Sequence, residues 1–178
     1  MRTAYVVAML GTCLMSVMPA GAQRRHRDPL TPVQIDKIRE AGIYPQERLK
    51  LYADYVNEHM EGIKQLTVRA HTPAWGSKMD GELQDLTALM DELGSNLDQY
   101  ADRKADLRKE LKSLTEDTQR WATTLRALPS APAYDLSRKD AIASASDLAD
   151  DAAESLKDQT EYFKEHKDQS GQQRVEPN

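Results

Sequence analysis

The sequence predicts an all-α protein, an elongated antiparallel helical bundle or coiled-coil-like hairpin built on one long central helix. Three observations carry this expectation. Between residues 79 and 128 the side chains Met79, Leu83, Leu86, Met90, Leu93, Leu97, Tyr100, Leu107, Leu111, Leu114, Trp121, Leu125 and Leu128 form an apolar ladder, interrupted only by Lys104 and Thr118. Its mean step of about 3.5 residues keeps one helical stripe facing a partner. Aromatic residues make up only 6% of the chain and charged residues 30%, a balance suited to long amphipathic helices. Glycine and proline fall mostly between the periodic segments, where they mark helix ends.

The chain opens with Arg2, an apolar stretch from Ala4 to Met18 and the segment Pro19-Ala20-Gly21-Ala22, the grammar of a signal peptide cleaved near Ala22. Residues 1–22 are therefore expected to direct export to the periplasm or the extracellular space. Leu10-Gly11-Thr12-Cys13 offers a lipobox-like alternative, but Thr12 and the apolar run Leu14 to Met18 fit an ordinary leader better. Cleavage removes Cys13, the only cysteine, so the mature chain is expected to hold no disulfide and no thiolate. Arg24-Arg25-His26-Arg27 falls in a flexible basic leader, residues 23–29, expected to be solvated.

Residues 30–167 are expected to form the helical domain. Thr31 and Gln34 make a capping box with Pro32 at the first helical position, Leu30 packs on Ile35 as a hydrophobic staple, and Gly42 ends this first helix. Pro45 starts a second helix with the apolar face Leu49, Tyr52, Val56, Met60, Ile63 and Leu66, fading near Ala70. His71-Thr72-Pro73 breaks the pattern. Ser77 with Asp80 then caps the long third helix, which runs on through Gly94 because the ladder keeps its phase there. Pro129-Ser130-Ala131-Pro132 stops it. Ser137 with Asp140 caps a fourth helix whose stripe reads Ile142, Ala145, Ala149, Ala152, Leu156 and Phe163, and residues 168–178 read as a polar, disordered tail.

Charge and motif content narrow the function classes. The net charge is −5, and losing Arg2 with the leader makes it one unit more negative, which argues against general nucleic-acid binding. No later segment approaches the roughly 20 apolar residues of a membrane span. His26, His59, His71 and His166 lie on separate segments without HExxH-type spacing, and in Asn57-Glu58-His59 adjacent helical residues diverge, so no metal ligand set is expected. The acidic rows Asp98, Asp102, Asp106, Glu110 and Asp147, Asp151, Glu154, Asp158 read as solvated helix faces. No nucleophile elbow, SxxK or phosphate loop occurs, and the expectation is a non-enzyme with no cofactor and no specific small-molecule ligand. Trp75, Trp121, Tyr44, Tyr52 and Tyr100 are expected to be core or interface anchors.

The second and fourth helices together match the length of the third, so an antiparallel three-helix arrangement with staggered partners is expected to leave part of the seam open. The candidate protein-interaction seam is Leu93, Leu97, Tyr100, Leu107, Leu111, Leu114 and Trp121. The function expected from it is self-association, as a homodimer, or binding of another protein. The alternative is a chaperone-like or stress-sensing binder of unfolded clients.

Two resemblances accompany this reading. The run from Asp28 to Leu66 and the segment from Asp91 to Arg103 resemble a family of uncharacterised, exported, all-helical bacterial proteins, a similarity that implies the fold but no activity. Leu30-Thr31-Pro32-Val33-Gln34 is similar to the LTxxQ motif of small helical periplasmic stress chaperones, which implies a cysteine-free, dimeric cradle.

Overall fold

The computed structural model describes residues 28–68, 72–102 and 105–171; residues 1–22, expected to be a signal peptide, most of the expected basic leader, His26, His71, Lys104 and the end of the expected tail from residue 172 lie outside the described residues. Within them the protein is all-helical: α1 (Pro32–Glu40) with a 3-10 turn (Ala41–Ile43), α2 (Pro45–Val68), α3 (Trp75–Asp102), α4 (Arg108–Ala127), α5 (Asp135–Glu165) and a final 3-10 turn (Lys167–Gln169).

Local chemistry sets the first elements. The Thr31 hydroxyl accepts the Gln34 N–H at 3.3 Å and the Gln34 side chain accepts the Thr31 N–H at 2.8 Å, completing the capping box with Pro32 in the first turn. The LTPVQ residues thus have a local structural task. Leu30 is buried and Ile35 packs on the same cluster.

The single long helix expected from the ladder is instead two helices, α3 and α4. The break falls between Asp102 and Arg108, where the ladder takes a double step from Tyr100 to Leu107. At the end of α3 the Ala105 N–H donates to the Tyr100 carbonyl at 3.3 Å, a six-to-one closure of the kind that ends helices. Thr118, the other interruption, is fully buried inside α4. Its hydroxyl donates to the Thr115 carbonyl at 3.0 Å, so the helix carries it without an orphaned group. Gly94 lies within α3, as the ladder phase requires.

Named contacts fix how the helices run. α2 and α3 form an antiparallel hairpin: Trp75 donates to the Leu66 carbonyl at 2.7 Å, and His59 meets Glu82 at 2.9 Å. α4 and α5 form a second one, with Arg126 reaching Ser146 at 3.1 Å and the Arg108 guanidinium 4.8 Å from the Phe163 ring centroid. The hairpins lie side by side. Ser137 donates to Asp80 and Ser144 to Asp91, each at 2.6 Å, so α3 and α5 are parallel neighbours. Gln46 donates to the Asp106 carbonyl at 3.1 Å and Trp121 to Asn57 at 2.8 Å, which makes α2 and α4 parallel as well, though they pack less closely than the other pairs. The staggered three-helix arrangement is therefore replaced by four packed helices.

Two expected caps shift. α3 starts at Trp75 and α5 at Asp135, ahead of Ser77 and Ser137. Ser137 and Asp80 bond to each other across the helices instead of capping their own. The buried stripe of α5 is also rotated, to Ala141, Ser144, Ala145, Leu148, Ala152, Gln159 and Phe163, leaving Ile142, Ala149 and Leu156 half-buried. Small residues at this stripe let α5 approach both α3 and α4. At the end of the hairpins the turn before α5 also comes close to α3, since a Cβ on Gly76 would stand 2.7 Å from the Ala133 Cβ.

Candidate functional site

The seam residues come together, but inside the chain. Leu93, Leu97, Tyr100, Leu107, Leu111, Leu114 and Trp121 are each no more than 2% exposed and belong to one continuous core. The expectation of an uncovered seam is corrected: folding the ladder back between α3 and α4 brings α2 and α5 over both halves, so these side chains cannot meet a second protein without unfolding. Tyr44, expected as an anchor, is exposed instead.

Polar chemistry concentrates where helices cross. Tyr52 donates to Glu92, and burial followed by this bond pushes the phenol up to about 12. The Trp121 indole and the Arg120 guanidinium both donate to Asn57 Oδ1, at 2.8 and 3.1 Å. Gln159 accepts the Leu107 N–H at 2.8 Å. His59 sits between Glu82 on α3 and the Pro29 carbonyl, 3.2 Å from its Nε2. The Glu82 hydrogen bond is the largest influence on the imidazole and raises its pKa against the opposing effect of burial.

The acidic rows are not wholly solvated outer faces. Asp106 binds Arg108 through two bonds of 2.9 and 2.8 Å, and Arg108, ahead of a Gly171 N–H bond of 2.8 Å, draws the carboxyl down to about 2. Ser170 and Gly171 are thereby held against the start of α4, although residues from 168 onward were expected to belong to a disordered tail. Across the α3/α5 contact, burial and then the carboxylates of Asp98, Asp147, Glu154 and Asp150 raise the Asp151 carboxyl. Among the described residues no group of three His, Cys, Asp or Glu side chains is arranged to hold a metal ion. His166 stacks on Tyr162 at 4.2 Å, and Trp75 packs edge-on against Tyr134 at 5.5 Å, both within the chain.

Sequence reasoning missed the inter-helix bonds of Ser137, Ser144 and Gln159, because polar residues at core phase look like the outer face. The signal that could have found them is their spacing from Ala141, Leu148 and Ala152. Also missed was the open trough between α2 and α4, a cavity of about 320 Å³ with Leu49, Ala53 and Leu114 at its base and Lys50, Asp54 and Lys109 on its walls. No helix of the described residues is long and apolar enough to cross a membrane. Comparison with protein families, with curated proteins and with solved structures finds no match to this chain.

Proposed function

We propose that the protein is exported, with cleavage near Ala22, and acts without catalysis as a rigid antiparallel helical bundle that binds protein, first of all a second copy of itself. The observation that carries this reading is at one end of the hairpins. Trp75 contacts both Leu66 and Tyr134, which gathers the end of α2 with the starts of α3 and α5. Two large aliphatic side chains stand at that end, Val68 at 83% exposure and Leu136 at 73%, while the ladder leucines are internal. Apolar side chains left in water at one end of a helical bundle are available for a protein contact.

The test is sedimentation of the wild type and of Val68→Asp with Leu136→Asp across the micromolar range. Concentration-dependent association in the wild type, lost in the double variant at unchanged helicity, supports the reading. A wild type that stays monomeric throughout overturns self-association. The chaperone-like alternative draws on the LTPVQ resemblance; it predicts that the wild type suppresses aggregation of a model unfolded client and that the double variant does not.

A further inference from the structure

We propose that His59 is a pH-sensitive latch: as an imidazolium it donates from both ring nitrogens and pins the N-terminal strap, residues 28–40, onto α2 and α3, and loss of its proton releases the strap side of that grip. The geometry is specific. Nδ1 lies 2.9 Å from Glu82 Oε2 and Nε2 lies 3.2 Å from the Pro29 carbonyl oxygen. A carbonyl oxygen and an ionised carboxylate only accept hydrogen bonds, so both contacts are satisfied only when both nitrogens carry protons. A neutral ring has one N–H. The charged acceptor holds it better, so the proton stays on Nδ1 and the Pro29 contact becomes one lone pair facing another.

The surrounding carboxylates act in the same direction, against burial. From α3, Glu82 and Asp85 both favour the cation. On α2 the neighbouring Glu58 accepts from Gln34 of the strap at 2.8 Å, and within the strap Asp28 accepts the Leu30 N–H at 2.9 Å. Lys78 is a cation lining the same α2/α3 cleft as Glu82. The His59 side chain is 15% exposed, so its interactions are only partly screened by water.

The strap is held in part by half-buried Ile35, packed on the core. Beyond the Gln34–Glu58 bond it is secured by buried Leu30 and Ile38, and it roofs a cleft floored by Arg48, Tyr52 and Glu92. Because the imidazole is stabilised in its charged form, the latch is closed on the acid side and loosens as pH rises through a value above the ordinary 6.5. Lifting the strap exposes Leu30, Ile38 and this cleft.

The experiment is a pH titration of the full chain by NMR, following the His59 ring nitrogens together with the backbone amides of Leu30, Thr31 and Ile35. The expected result is a His59 midpoint above 6.5, an Nδ1–H tautomer on the alkaline side, and strap amides that shift with the same midpoint. Glu82→Gln should move both midpoints down together. A His59 midpoint at or below 6.5 overturns the latch, and so do strap amides that do not follow it. The wild-type titration decides this alone if Glu82→Gln fails to fold.

Discussion

The side-chain oxygen of Gln159, on α5, accepts the backbone N–H of Leu107 at the start of α4, 2.8 Å away and 52 residues distant in sequence. A buried amide at a helix start has no partner in its own helix, so a neighbouring helix caps it. Gln159→Leu should therefore cost about 1–3 kcal/mol, the usual penalty for an unsatisfied buried donor. Gln159→Glu, which keeps an acceptor, should cost less. Urea denaturation of the two variants makes the comparison.

Two glycines of α3 should respond in opposite senses to alanine. At Gly76 the new Cβ meets Ala133 at 2.7 Å, and overpacking of this kind costs about 1–3 kcal/mol. At Gly81 nothing lies within 4 Å, so alanine should stabilise by about 0.5–1 kcal/mol through lower chain entropy. Melting temperatures that move the same way for both would contradict these packing assignments.

Leu111 is fully buried in α4 while its neighbour Lys112 is exposed. Leu111→Ala should cost about 2–5 kcal/mol and Lys112→Ala no more than about 0.5 kcal/mol. Since Leu111 packs inside its own chain, its loss should be the same at low and high protein concentration. A concentration-dependent loss would return the seam to an interface.

Asp106 supplies a separate response to acid. Its carboxyl is held near 2 by Arg108, below the ordinary 3.8, so the charged form stabilises the fold above that ordinary value. This contribution fades as pH falls toward the lowered one. Amide exchange at Gly171 should accelerate over that acid range in the wild type. In Asp106→Asn, fast exchange should already be present at neutral pH.

Burial was more legible in the sequence than direction. Each ladder residue from Met79 to Leu128 is buried, because hydrophobic period reports which face a helix hides. Period is blind to whether two halves of a ladder continue or fold back. The capping box at Thr31 was readable because its two bonds span only three residues. His59–Glu82 and Ser137–Asp80 were not, since each depends on the register between helices, which no local pattern encodes.

The parallel pairing of α3 with α5 bears on how the chain reaches its fold. Near their turns the α2–α3 and α4–α5 hairpins bring residues together across short separations, such as 9 for Trp75 and Leu66 and 20 for Arg126 and Ser146. The bonds between the hairpins span 53 to 64 residues. Closing such distances costs chain entropy before any long-range contact repays it. Refolding should therefore be slower than helix content alone implies, and stopped-flow measurements should show Ser137→Ala, which cuts a bond between hairpins, chiefly accelerating unfolding.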